Sequence, residues 1–213
     1  MLTTVVLDVN ETLTDMSPLR QAFVDVGAPA ELAATWFATV LKDAFALTAA
    51  GGTASFKRFA RAVLLSMSVD EQGVDHVLDR MAALPLHPDV ADGLRALHER
   101  GLTLVTFTNG AAAMTEALLE RNGLRDIVTH VLSVDDAGAW KPTPTSYRYA
   151  QGVAGAKPDE TVMVAVHPWD TAGAQQVGWQ GAWVDRAGTP WPEPFDAPTY
   201  RVRDLTELAA VLG

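Results

Sequence analysis

Four short stretches of this chain gather the residue types that chemistry requires. Asp8, Asn10, Glu11 and Thr12 close an apolar run over 3–9. Thr108, Asn109 and Gly110 close a second run, Asp135, Asp136 and Lys141 follow a third, and His167, Trp169 and Asp170 close a fourth. Together they offer carboxylates, hydroxyls, amides, an ammonium and an imidazole, the groups on which nucleophilic and acid–base catalysis draws. Each also has a plain structural reading. Asp8 alone is a turn former, Asn109-Gly110 a turn, Lys141 a solvated loop lysine, Asp135-Asp136 a solvated loop. Asp170 is a natural helix N-cap and His167 a satisfied core histidine. What favours the chemical reading is convergence of all of them on successive strand ends.

Apolar, β-branched runs read as buried strands over 3–9, 102–107, 127–134, 162–166, 182–185 and 200–202. Helical spacing fills the intervals, over 89–100, 111–121, 145–153, 171–177 and a last helix to 212. Strands alternating with helices predict an α/β fold, a Rossmann-like parallel sheet covered on both faces. In such a sheet the site lies outside the carboxyl ends of the strands, where the polar residues fall. Between the first strand and the rest, the texture is helical only. Leu19 and Phe23, then Trp36, Phe37, Val40 and Phe45, then Phe56, Phe59 and Val63, then Val74, Val77 and Met81 recur at helical spacing. Ser68 with Glu71 reads as a capping box opening the last of four helices. This predicts a core over 1–15 and 86–213, with a small helical cap inserted over 16–85.

The chain has 213 residues, enough for one core with an insertion, and its 48% apolar and 20% charged residues exclude global disorder. A net charge of −10 repels phosphate backbones and anionic lipid, so no nucleic-acid partner is expected. The absence of cysteine removes disulfides, thiolate nucleophiles and Cys-ligated zinc. The N-terminus lacks a basic region before its apolar run, and no apolar stretch approaches about 20 residues. The expectation is a soluble, cytoplasmic protein with no membrane segment.

In this order the motifs resemble the haloacid dehalogenase (HAD) superfamily, and within it the type II 2-haloacid dehalogenases. The resemblance rests on Val5-Val6-Leu7-Asp8-Val9-Asn10-Glu11-Thr12, on Phe107-Thr108-Asn109-Gly110, on Lys141-Pro142 through Tyr147, and on Val166-His167-Pro168-Trp169-Asp170 with Gly173-Ala174. It covers nearly the whole chain. It implies Asp8 as nucleophile, Thr12 positioning it, Lys141 keeping it ionised, and Asp170 serving the water that cleaves the Asp8 ester; His167 stands where the better-known dehalogenases carry Asn, and is a candidate either to assist as base or to bind halide. It implies substrate contacts at Asn10, Phe37, Lys42, Thr108, Asn109, Tyr147 and Trp169, with Trp36, Phe37 and Phe45 as an apolar wall. Relatives of this type are often homodimers, so the resemblance extends that expectation here.

Departures from the superfamily decide between chemistries. Its phosphatases carry a second Asp two residues after the nucleophile, where this chain has Asn10, and a metal-binding acidic residue where this chain has Val166. A doubly charged phosphate approaching an aspartate needs a cation. Halide leaves a 2-haloacid as an anion without a proton, and the substrate carries a single charge. The expected activity is therefore metal- and cofactor-free hydrolysis of a short 2-haloalkanoic acid to the 2-hydroxy acid. Two alternatives stand beside it: a phosphatase using Asp135 or Asp136 for metal, and an idle HAD-like binding protein. Type II enzymes grip substrate with a cap Arg; Phe37 takes that position here, with Lys42 as the nearby stand-in.

Overall fold

A computed structural model describes residues 1–212. Six strands form one parallel sheet: β1 (Thr4–Leu7), β2 (Thr103–Thr108), β3 (His130–Ser133), β4 (Thr161–Ala165), β5 (Gln180–Val184) and β6 (Tyr200–Val202). Their order is β3-β2-β1-β4-β5-β6. The chain therefore builds outward from β1 on one side, then crosses to build β4 on the other. That reversal opens a crevice beyond the carboxyl end of β1, where Asp8 follows the strand.

Alternation along β1 separates two apolar layers. Val5 and Leu7 face a cluster built on α5 (Val90–Glu99), α6 (Ala112–Arg121) and α10 (Leu205–Val211). Val6 faces the other cluster, with Tyr147 of α8 (Pro144–Ala154) and Ala174 of α9 (Pro168–Gln175). The β3 strand is shorter than the sequence suggests, because Arg125–Ile127 forms a 3₁₀ turn. Asp135 and Asp136 lie in a one-turn helix, α7 (Val134–Ala137), rather than a loop, since Ser133 Oγ accepts the Asp135 N–H at 3.1 Å.

Between β1 and α5 stand α1 (Leu19–Asp25), α2 (Leu32–Ala49), α3 (Phe56–Ser66) and α4 (Glu71–Ala82). Trp36, Phe37, Val40 and Ala44 form the buried stripe of α2. Trp36 is fully buried and donates its indole N–H to the Ala60 carbonyl of α3 at 3.0 Å, so it is a core residue of this layer, not a substrate wall. At 18 residues and mean hydropathy 1.2, α2 is long and apolar enough to cross a membrane by length and composition, contrary to the sequence expectation. Its buried stripe packs instead against the neighbouring helices. The capping-box reading also fails: Ser68 has φ +64°, outside the extended region an N-cap needs, and Asp70 caps α4 by accepting from Gly73 N at 2.8 Å. The segments entering and leaving the helical layer meet at a Thr14–Leu86 bridge. Arg121 of α6 donates to the Ala82 and Leu84 carbonyls and ties the end of α4 to the sheet-bearing part.

Candidate active site

The turn after β1 is closed by the Leu13 and Thr14 N–H groups, which both donate to the Val9 carbonyl. This folds Thr12 back over the strand end. Thr12 Oγ1 donates to Asp8 Oδ2 at 2.7 Å and accepts from Val166 N at 3.1 Å, so one hydroxyl joins the loops after β1 and β4.

Lys141 lies before α8 and is wholly buried. Its three N–H bonds are all used: Asp8 Oδ1 at 2.9 Å, the Phe107 carbonyl at 2.8 Å and Asp170 Oδ2 at 2.6 Å. Burial alone would lower its pKa, but the Asp170 and Asp8 charges outweigh that and raise it, so the group is an ammonium. Its backbone is clamped by Asn109, whose Oδ1 accepts from Lys141 N at 2.9 Å and whose Nδ2 donates to Lys141 O at 3.3 Å. The Asn109 side chain is therefore spent on positioning, not on substrate contact.

Asp170 does not cap α9; it sits inside the first turn, with His167 at the N-cap. It is wholly buried, and Tyr147 OH donates to its Oδ1 at 2.7 Å. Both carboxylate oxygens thus have strong donors. Burial, with repulsion from Asp8, pushes Asp170 up to about 6 against the pull of Lys141 and Tyr147. Tyr147, expected as a substrate contact, is itself wholly buried beneath α9, where a Cβ on Gly173 would lie 2.7 Å from its hydroxyl. It orients Asp170 instead. Lys42 is also displaced from its expected role. It lies opposite the buried stripe of α2, with its side chain 70% exposed and paired with Asp43 at 3.3 Å. Phe37 packs in the helical layer against Phe56 and lines a cleft of about 150 Å³ that also reaches Glu11.

His167 stands on the open side of Asp8. Its Nε2 is 3.9 Å from Asp8 Oδ2 and 3.4 Å from Glu11 Oε2. The ring stacks on Trp169 at 4.8 Å, and Trp169 meets the edge of Phe45 at 5.1 Å. Of the expected wall, Phe45 is the member that reaches the strand-end residues. Burial and the Lys141 charge lower the His167 pKa against the pull of Asp8, so the imidazole is neutral near pH 7. Burial and the Asp8 charge push Glu11 up to about 7.

A chamber of about 20 Å³ touches Asn10, Thr108, Gly110 and the N-terminus of α6. The α6 N-cap is Ala111, so no side chain competes for the N–H groups of its first turn. Phe56, Met81 and Met114 line both this chamber and a larger outer cleft of about 300 Å³ between α3, α4 and α6. Phe56 and Met81 appear in the sequence only as helical-stripe residues; nothing in their spacing marks them as chamber walls. The residues present do not fit a metal: both buried carboxylates turn to the Lys141 ammonium, and Val166 offers hydrocarbon where a third acidic ligand would stand. Among the described residues no three His, Asp or Glu side chains converge to hold an ion.

Known proteins resemble this chain in sequence and fold. A (S)-2-haloacid dehalogenase of Burkholderia cepacia is 28% identical over 98% of this chain and 94% of its own length. A (S)-2-haloacid dehalogenase of Pseudomonas sp. (strain YL) is 30% identical over 66% of the chain, and the match spans 61% of that enzyme. The structure of L-2-haloacid dehalogenase from Xanthobacter autotrophicus superposes with a TM-score of 0.90 at 26% identity, covering 100% of this chain and 98% of that one. The family of haloacid dehalogenase-like hydrolases matches residues 2–178, and the chain belongs to it.

Proposed function

We propose that this protein is a hydrolase of carbon–halide bonds that converts short 2-haloalkanoic acids to 2-hydroxy acids through an ester on Asp8. The observation that carries the reading is the Asp8 carboxylate itself, held by Thr12 at 2.7 Å and Lys141 at 2.9 Å, beyond a strand end that also borders the small chamber. Two fixed donors orient the nucleophile and stabilise its charge. Thr108 and the uncapped N–H groups of α6 are placed to receive the substrate carboxylate. The carbon bearing the halogen then faces Asp8, and its C–X bond breaks as the Asp8 Oδ–C bond forms. Halide departs without a proton, which suits a site with Asn10 rather than a second acid. Water then attacks Asp8 Cγ, and the Cγ–Oδ bond breaks, releasing the 2-hydroxy acid with the former Asp8 oxygen. The relatives named above bear names specifying the (S) or L configuration, which supports (S)-2-haloacids as substrates.

The test is halide release from chloroacetate and from each enantiomer of 2-chloropropionate, with and without chelator, beside Asp8→Asn. Release from chloroacetate and the (S) enantiomer, unaffected by chelator and lost in the variant, is the expected result. In heavy-oxygen water, a single turnover should place label in the Asp8 side chain. Chelator-sensitive phosphate release from phosphate esters, with no halide from any haloacid, would replace the reading with a phosphatase.

A further inference from the structure

Thr12 holds Asp8, and the placement of Thr12 is itself set from a more distant strand. Its hydroxyl proton goes to Asp8 Oδ2 at 2.7 Å, which leaves the oxygen to accept, and the donor is Val166 N at 3.1 Å. Val166 lies just past β4, and the β4–β5 register ends at the Ala165–Trp183 pair. Its carbonyl is therefore beyond the ladder. Trp183 of β5 fills that place with its side chain: the indole Nε1–H donates to Val166 O at 2.9 Å. The same end of the sheet reaches Thr12 a second time. Arg186, gripped by Asp89 at 2.7 Å, donates from Nη2 to the Thr12 carbonyl at 2.9 Å.

We propose, resting on the dehalogenase reading, that Trp183 is a positioning residue for the alkylation of Asp8: through Val166 it fixes the Thr12 hydroxyl, and through that hydroxyl the plane of the Asp8 carboxylate. In the alkylation step the bond from Asp8 Oδ to the substrate carbon forms and the carbon–halogen bond breaks. Halide leaves with the bonding electron pair, and no proton moves. Orientation and charge are then what the protein has to supply, and a misplacement of about 1 Å costs up to about a hundred-fold in rate. Lys141 supplies the charge at one carboxylate oxygen, and Thr12 sets the other. Val166 is held at both its N–H and its C=O, so the donor that Thr12 accepts has one direction. Without the indole N–H, that direction is free to drift and the hydroxyl with it.

The seat of Trp183 is built by the chain that follows β5. Trp183 is buried, with Trp191 meeting it edge-on at 5.0 Å and the Arg201 guanidinium over its ring at 4.9 Å. Asp185 pairs with Arg201 and holds that cation in place. Trp191 belongs to the Pro-rich segment 187–198 and is fixed there by its own indole N–H, which donates to Phe195 O at 3.0 Å. The half-exposed Pro-rich segment therefore bears on Asp8 through four side-chain contacts in series: Trp191 on Trp183, Trp183 on Val166, Val166 on Thr12 and Thr12 on Asp8.

The experiment is a double-mutant cycle read by rapid quench with chloroacetate, following the halide burst in the wild type, Trp183→Phe, Thr12→Val and the double variant. Phenylalanine keeps an aromatic ring beside Trp191 and removes the N–H. Trp183→Phe should slow the burst about ten- to a hundred-fold and leave KM within about two-fold. In the Thr12→Val background the same change should slow it less than about two-fold, because the contact it works through is gone. Trp191→Ala, in the half-exposed segment, loosens the seat without cutting into the core, and should slow the burst about three-fold with the same dependence on Thr12. A second arm needs no substrate. Amide exchange at Val166 should quicken about ten-fold in Trp183→Phe while Met163, inside β4, keeps its wild-type rate. Equal slowing by Trp183→Phe with and without Thr12, or exchange that rises equally along β4, overturns the positioning role and leaves the dehalogenase reading intact. Absence of halide from the wild type overturns the dehalogenase reading, and the exchange arm then still decides whether Trp183 fixes Val166.

Discussion

Replacing Lys141 with methionine tests the electrostatic centre of the site, since the side chain keeps its length and loses its charge. The ammonium lies 2.9 Å from Asp8 and 2.6 Å from Asp170, so the two carboxylate oxygens it bridges are at most about 5.5 Å apart. Without it, their repulsion at an effective dielectric near 20 is about 3 kcal/mol. Breaking a buried pair by removing one partner costs a comparable ~3–5 kcal/mol. The stability loss has a definite pH sign. Asp170 is already pushed from 3.8 up to about 6, by burial first and then by Asp8, and losing Lys141 pushes it further. A carboxyl whose folded pKa is raised leaves the fold undisturbed below its unfolded value and destabilises it as pH climbs toward the folded one. Below about 6 Asp170 is protonated in both folded proteins and their penalties match, so the deficit relative to wild type should open near 6, and denaturant unfolding should find it about 1 kcal/mol larger at about pH 8 than at about pH 5.5. Turnover should fall roughly 10²-fold or more, the rate equivalent of ~3 kcal/mol at the anionic nucleophile. A variant with turnover within ten-fold of wild type, or with equal stability at pH 8, would refute the reasoning.

Tyr147→Phe leaves Asp170 Oδ1 without its donor in a dry site, and should cost about 1–3 kcal/mol in chemical denaturation while leaving KM unchanged, because Tyr147 does not reach the chamber. Gly173→Ala places a Cβ 2.7 Å from both Pro142 Cβ and Tyr147 OH, and should cost about 1–3 kcal/mol with a fall in kcat as Asp170 shifts. A thermal melt and turnover measurement within error of wild type would remove that account. Met114→Ala opens the wall shared by the inner chamber and the outer cleft, so kcat/KM for 2-chlorobutyrate relative to chloroacetate should rise about ten-fold. An unchanged ratio would place the substrate elsewhere.

The order of elements was legible because it is written in local periodicity. Short β-branched runs alternating with amphipathic stretches can bury their apolar faces only as a sheet covered by helices. The strand-end rule puts Asp8, Thr12, Lys141, His167 and Asp170 at one sheet edge, and the fold brings these five side chains together. What local pattern could not supply was direction. Lys42 and Phe37 differ by five positions on one helix, and only packing against α3 decides that Phe37 turns inward and Lys42 to water. Tyr147 carries a phenol in either role, and only the approach of Gly173 shows it sealed beneath Asp170. Glu11 was visible as a residue at the first strand end, but its partner lies 156 residues on, and the positive φ that aims it at His167 is set by Thr14 and His87. Sequence determined which chemical groups stand at the sheet edge, because strand register fixes that locally. The tertiary structure decided which of them are saturated by buried partners and which remain open to water, because that depends on side chains arriving from distant parts of the chain.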